Sequence, residues 1–320
     1  MAIITSEKTK INDKMKNNST GKWAKKKMSA EKIAKKLYAA GYKGRAARMM
    51  ECGSILEFAY CPECGRTHVK RANLCRDRLC PTCSWRLSLK RFGEMTSILA
   101  AMGEEINHHT VSMLTLTVKN IKLADLRKTI KAMSKAWFAM TTRKVMTKEV
   151  WGWAKSLEIT QNRRTGEFHP HFHVLIFWNG QVRSQEYRAQ FQKTWQRCAK
   201  LNYSPVIDIR DAYSEKEGNE VIRAVLESFK YITKNSTLIR MNLADFGEFA
   251  EQIKNIRAIS FGGEIRRIRE TLGLDDNDQA ETSSAYDIIC PECASPILES
   301  VARWAGCRYV DEKRGVSVTL

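Results

Sequence analysis

Residues 156–178 read SLEITQNRRTGEFHPHFHVLIFW, two strand-like runs on either side of a polar turn. The second run, 168–178, passes from alternating histidines into the unbroken apolar stretch Val174-Leu-Ile-Phe-Trp178. Successive side chains of a strand point to opposite faces, so His169, His171 and His173 share one face while Phe172 turns into a core. Three of the chain's six histidines stand in these five positions. Neighbouring imidazoles on one face can hold a single divalent ion, and packing by itself seldom puts three there. The plainer alternative is a row of polar residues on a solvated strand. The first run, Ser156–Gln161, faces the second across Asn162-Arg-Arg-Thr-Gly-Glu167, which has turn chemistry. A turn centred between Arg164 and Thr165 sets Glu158 opposite His171 and makes it a candidate carboxylate ligand of the same ion. A register slip of two would leave Glu158 as an ordinary strand carboxylate. Mixed imidazole and carboxylate ligation suits Mn²⁺ or Mg²⁺ with open positions, or zinc.

Around this hairpin the chain is strongly basic. It has 320 residues, 43% of them hydrophobic, enough for one large domain or two smaller ones. The formal charge is +19, of which +11 lies in residues 1–50 with their fourteen Lys/Arg and three Asp/Glu. Such a balance calls for a polyanion, most simply nucleic acid, with an anionic membrane surface as the competing partner. No apolar run reaches the roughly 18 residues of a spanning helix, and the start lacks the apolar core of a signal peptide. The reading is a soluble cytoplasmic protein with no membrane partner. In that compartment ten cysteines point to metal rather than disulfides.

Five segments follow from the pattern. Residues 1–50 are a basic arm and helix, the arm over 1–28 and the helix over 30–50, ending near Gly41 or Gly44. Residues 52–106 are a cysteine-rich, zinc-binding segment followed by a helix over 85–106. Residues 107–270 hold a strand at 111–118, a helix of about 25 residues with Leu123, Leu126, Ile130, Met133, Trp137 and Met140 at helical spacing, the hairpin, a helix around Tyr187, Phe191 and Trp195, a strand at 205–213 and a helix at 217–235. Residues 271–289 are an acidic linker, and 290–320 a carboxyl-terminal piece with further cysteines. Strands separated by helices around a hairpin predict an α+β fold with a mainly antiparallel sheet.

Two pairs, Cys61-Pro-Glu-Cys64 and Cys80-Pro-Thr-Cys83, stand with 15 residues between Cys64 and Cys80, the spacing of a structural four-cysteine zinc site. Cys75 and His68 can replace one pair or help to form a second site. Cys290, Cys293 and Cys307 lack an obvious fourth ligand nearby; they either recruit Cys75 or Cys52 or stay free. Arg71, Arg76, Arg78, Arg86, Lys90 and Arg91 surround the cluster as candidate phosphate contacts or as solvated charges. Cys198, after Trp195, reads as core.

In the helix at 217–235, Ile222, Val225, Leu226, Phe229 and Ile232 form an apolar stripe, and Glu227, Tyr231 and Lys234 gather opposite it at i, i+4 and i+7. A phenol can attack a phosphodiester and keep the 5′ end as an ester. The Lys can hold the phenolate or phosphate, and the Glu can serve as general base toward water. Exposed tyrosines on amphipathic helices are common, so this helix alone is weak evidence.

Taken in order, Thr115-Leu-Thr-Val-Lys119-Asn120, His169-Pro-His-Phe-His-Val-Leu175 and Glu227-x-x-x-Tyr231-x-x-Lys234 resemble the motifs of rolling-circle plasmid replication initiators. Specifically, the chain resembles the single-tyrosine Rep proteins of the HUH endonuclease superfamily. The cysteines and arginines from Asn73 to Arg86 also look like the cluster that precedes the first motif there. The resemblance, over about residues 73–234, implies a central antiparallel sheet of HUH-endonuclease type flanked by helices. It implies that His171 and His173 bind the divalent ion, with His169 an upstream companion, and that Tyr231 nicks one strand at the double-strand origin and becomes linked to its 5′ phosphate. Glu227 would activate water to end the round, Lys234 would assist, and Lys119, Asn120 and Tyr231 would meet the DNA. The implied partners are plasmid DNA, single-stranded at the nick, and a host helicase and polymerase. The tyrosine follows the histidines, as in initiators rather than relaxases, and no second tyrosine stands near it. A non-catalytic zinc-ribbon DNA-binding regulator and an HUH-type transposase are the alternatives.

Overall fold

The computed structural model describes residues 21–211, 233–274, 290 and 292–320. It is α+β with two antiparallel sheets, and the chain divides into two units, 1–85 with 277–320, and 86–276.

The second unit holds the hairpin. Its sheet has the order β6-β3-β5-β4-β7, built from β3 (Val111–Thr117), β4 (Val150–Gln161), β5 (Phe168–Trp178), β6 (Ile207–Asp211) and β7 (Ile259–Gly263). The apolar run in β5 is continuous because β5 is the central strand and is covered on both faces. On the histidine face, Leu175 and Phe177 join a core with Met95, Ile98 and Met102 of α3 (Pro81–Met102), Val111, Ala154 and Ile265. On the other face Phe172 and Trp178 meet Trp195 and Phe191 of α6 (Arg188–Cys198), at ring separations of 6.2 and 5.6 Å. Beside α6 lies α4 (Leu126–Thr141), whose Ile130, Met133, Trp137 and Met140 are buried. Each such apolar side chain taken from water contributes about 1.5–3 kcal/mol, so the sheet is anchored from both sides near its middle.

Several elements differ from expectation. The helix after Val118 has 16 residues rather than about 25, because the chain first leaves β3, bridges Ile121 to Phe168, and makes one short turn at Leu123–Asp125. Strand β4 begins at Val150, six residues before the alternation becomes visible, since Gly152–Lys155 pairs with both β5 and β7 and needs no polar face. The helix expected over 85–106 starts at Pro81, where a missing N–H costs nothing, and stops before Gly103 at φ +53°. At Gly263, φ +60°, the chain turns from β7 into α9 (Glu264–Thr271); a Cβ there would lie 2.4 Å from the Trp151 carbonyl oxygen.

The first unit is also a sheet, in the order β10-β9-β8-β1-β2. Here β1 (Ile55–Tyr60) pairs with β2 (Thr67–Ala72) and with β8 (Leu298–Trp304); β9 is Tyr309–Asp311 and β10 Ser317–Val318. Residues 290–320 are therefore not a separate piece: from Leu298 onward they pair side by side with the cysteine-rich segment. Two helices, α1 (Lys22–Ala39) and α2 (Lys43–Glu51), accompany the sheet, and Trp23, Leu56, Phe58, Ala302 and Tyr309 form its core. Helix thus begins inside the stretch read as a basic arm. The acidic segment 275–289 and most of the helix read at 217–235 lie outside the described residues.

Candidate metal centre and cysteine clusters

The hairpin register is the one the turn predicts: Glu158 pairs with His171 and Ser156 with His173. From the other side β3 pairs Thr117 with His171 and Thr115 with His173. The central strand therefore presents its histidines between two neighbours whose side chains share their face. Nε2 of His171 and Nε2 of His173 are 3.1 Å apart, and Glu158 Oε2 lies 3.3 Å and 3.0 Å from them. All three side chains are only 10–15% exposed, so the site is largely sheltered.

Proton bookkeeping explains why these atoms converge. Nδ1 of His171 lies 3.2 Å from the His169 carbonyl, which can only accept, so a neutral ring held here keeps its proton on Nδ1 and aims a lone pair from Nε2. Thr115 Oγ1 lies 3.3 Å from Nδ1 of His173 and can orient that ring in the same sense. Two such lone pairs and a carboxylate oxygen pointed at one another repel unless a cation, or a proton on one of the rings, sits among them. Outer partners that fix ring tautomers in this way accompany metal-ligating histidines. The imidazoles of His171 and then His173 hold the Glu158 carboxyl well below the usual carboxylate range, so it is ionised at neutral pH. The donor set fits a divalent ion.

His169 is on the same face but does not join the group. Its ring is 5.4 Å from that of His171, and burial, followed by the charge of His171, lowers its pKa. Its Nδ1 is buried without a hydrogen-bond partner among the described residues. Lys119 and Asn120 are exposed just beyond Thr117, at the histidine end of β3, where the Lys119 N–H donates to Tyr203 Oη at 2.9 Å. Glu227 and Tyr231 lie outside the described residues. Lys234 is exposed with ψ 133° and precedes a separate helix, α7 (Asn235–Arg240), so the helical face cannot continue to it as the i+7 reading supposed. Just before it, Thr233 Oγ1 donates to the carbonyl of Ile159, the residue after Glu158, at 3.0 Å.

The cysteines need the larger correction. Cys61, Cys64, Cys80 and Cys83 do not form one site; the two pairs go to different clusters, Cys52 with Cys75, Cys80 and Cys83, and Cys61 with Cys64, Cys290 and Cys293. Sequence spacing favoured the nearest pair, but β1 and β2 carry Cys61 and Cys64 to one end of their hairpin, away from the Cys80 corner. In the first cluster the Cys75 N–H points at Cys52 Sγ (3.4 Å) and the Arg76 N–H at Cys83 Sγ (3.2 Å), the backbone support that thiolates accept. Cys52 and Cys75, which the spacing left open, thus complete the first cluster, while His68 is exposed and in neither. A signal for the second cluster was present: residues 61–64 and 290–293 are the same tetrapeptide, Cys-Pro-Glu-Cys. Among the arginines expected to meet phosphate, Arg91 is buried against Glu94 at 2.6 Å and is structural.

Two further residues escaped the sequence reading. Thr115 stands in the first motif, whose spacing assigns it no role. Lys155 is buried on the opposite face of β4, with Nζ 3.9 Å from the centre of the Phe172 ring, and burial, then the charge of Arg257, lowers it to about 8. No helix among the described residues is long and apolar enough to cross a membrane.

Residues 66–310 match the family of replication proteins designated Rep_1. The protein rep of Bacillus amyloliquefaciens is 31% identical over 324 residues, covering 92% of this chain and 94% of its own. That of Lactiplantibacillus plantarum is 30% identical over 306 residues, covering 91% and 95%, and that of Streptococcus pneumoniae serotype 2 is 29% identical over 285, covering 86% and 88%. No solved structure matches. Motif order, the antiparallel sheet that carries the histidines, and likeness over nearly the whole chain agree: this protein belongs to the Rep_1 family of replication proteins.

Proposed function

We propose that this protein initiates rolling-circle replication of a plasmid by nicking one strand at the double-strand origin through a 5′-phosphotyrosine intermediate, and later ends the round by cleavage and rejoining. The observation that carries this reading is the convergence of His171 Nε2, His173 Nε2 and Glu158 Oε2 within 3.0–3.3 Å on the central strands of a replication protein. A divalent ion, Mn²⁺ or Mg²⁺, held by these three would draw charge from the non-bridging oxygens of the scissile phosphate.

The remaining chemistry belongs to side chains. The Tyr231 phenol forms the new bond to phosphorus, the bond to the 3′ oxygen breaks, and that oxygen gains a proton as the phenol loses one. The freed 3′-OH is the primer for leading-strand synthesis by host enzymes. Glu227 acts later as general base toward water, releasing the tyrosine. What supports this assignment on the described side is Thr233, two positions after Tyr231 in the chain, whose Oγ1 donates to the carbonyl of the residue following Glu158 at 3.0 Å. Lys119 and Asn120 contact the strand near the nick, and Lys234 holds a phosphate. His169 stays outside the ligand set. A zinc ion in the Cys52, Cys75, Cys80 and Cys83 cluster holds the start of α3 in place and is structural.

The test uses a single-stranded origin oligonucleotide with Mn²⁺. Wild type should form a protein–DNA adduct stable to denaturant, and Tyr231→Phe should form none. Glu227→Ala should still nick but accumulate covalent or multimeric products. A wild-type protein that forms no adduct on any origin sequence would instead be a DNA-binding regulator; efficient joining of insertion-element ends would favour a transposase.

A further inference from the structure

The second cysteine cluster has no part in the chemistry above, and its geometry is that of a built site. Cys61 Sγ lies 3.3 Å from Cys293 Sγ, and Cys64 Sγ 3.5 Å from Cys290 Sγ. A disulfide would bring sulfurs to about 2.05 Å, whereas four thiolates around one zinc at about 2.3 Å stand roughly 3.8 Å apart. The observed separations are near the second figure and far from the first.

The two halves of the cluster are copies of one turn. The Gly65 N–H donates to the Cys61 carbonyl at 3.0 Å and the Cys61 N–H to Arg66 at 2.9 Å; Ala294 donates to Cys290 at 2.8 Å and Cys290 to Ser295 at 2.8 Å. In both, the residue after the second cysteine is left-handed, Gly65 at φ +71° and Ala294 at φ +58°. A left-handed alanine is held only where its surroundings over-determine it. Each knuckle contributes one buried cysteine, Cys61 and Cys290, and one exposed cysteine, Cys64 and Cys293. Strand pairing brings the knuckles together, since Tyr60, next to Cys61, is the register partner of Leu298 at the start of β8. The Arg66–Glu292 pair at 2.8 Å and the Lys70–Glu299 pair at 2.6 Å flank the junction.

We propose that the chain binds two zinc ions, and that the second, held by Cys61, Cys64, Cys290 and Cys293, is a clasp fastening the carboxyl-terminal strands to the amino-terminal sheet. The paired ligands are 232 and 226 residues apart, and residues 86–276 lie between them in the chain. Cross-linking points so distant removes more freedom from the unfolded chain than closing a local loop. The clasp does not depend on the nicking chemistry and is tested without it.

Full-length protein purified without chelator should contain two zinc ions per chain by plasma emission spectrometry; one or none overturns the proposal. The double variant Cys290→Ser/Cys293→Ser should contain one, and should exchange the amide hydrogens of Leu298–Trp304 faster than wild type. Retention of two ions overturns the ligand assignment, and unchanged exchange overturns the clasp. Should the variant fail to fold, wild type supplies the answer through brief alkylation and peptide mapping. With zinc bound, exposed Cys307 should label quickly while Cys64 and Cys293, also exposed, stay protected. After chelation all four clasp cysteines should react. Labelling of Cys64 or Cys293 at the rate of Cys307 in the zinc-loaded protein refutes the second site.

Discussion

Lys155 and Glu158 are three positions apart on β4, and opposite faces of one strand treat them oppositely. Glu158 shares the histidine face and is held ionised by His171 and His173. Lys155 faces the apolar side, where burial lowers it to about 8 from its ordinary 10.5. Below pH 8 both folded and unfolded chains carry the proton, and the full cost of the buried charge applies, on the order of 3 kcal/mol for a shift of that size. The ring of Phe172 returns roughly 1–2 kcal/mol of it. Between pH 8 and 10.5 the unfolded chain binds more protons than the folded one, so stability should rise with pH across that window. Lys155→Met should gain roughly 1–2 kcal/mol in urea unfolding at pH 7 and flatten the rise above pH 8. A loss of stability at pH 7 would refute the buried-charge account.

At the scale of elements, the hairpin was readable and its neighbours were not. Alternation in residues 168–173 and the turn between Arg164 and Thr165 suffice to pair Glu158 with His171, because both are local. That β3 would lie on the other side of β5, with Thr115 beside His173, is a long-range pairing that no local period announces. The pairing lets Thr115 orient the His173 ring through Nδ1 at 3.3 Å. Thr115→Val keeps the strand-favouring branch and removes only the oxygen. It should weaken Mn²⁺ binding, measured by titration calorimetry, by about 10–100-fold while leaving thermal stability nearly unchanged. Equal affinity would mean that the ring is fixed by packing alone. The same contrast bears on Lys234: a helical wheel assumes regular helix up to that residue, whereas Lys234 has ψ 133° and its neighbour Thr233 bonds to β4, a long-range contact that no local period announces.

For the whole molecule, charge and metal serve different ends. Part of the net +19 is expressed as exposed lysines such as Lys22, Lys25, Lys32 and Lys35 along α1, which can neutralise phosphates. Binding to plasmid DNA should therefore fall steeply with salt. In His171→Ala the salt slope of binding, read by fluorescence anisotropy, should match wild type while adduct formation is lost. A parallel loss of binding would make the histidine metal structural rather than catalytic.

By itself the sequence determined the family, the α+β class, the histidine hairpin with its carboxylate, and the presence of cysteines able to hold a metal. Each of these rests on spacings within about thirty residues, on the order of short motifs, or on composition. Only the tertiary structure decided which cysteines share a cluster, that residues 298–318 complete a sheet with 55–72, and that Thr115 supports His173. The second cluster, the β1–β8 pairing and the Thr115 contact join residues 58 or more positions apart, and a thiol or hydroxyl carries no mark of its distant partner until strand register brings the two together.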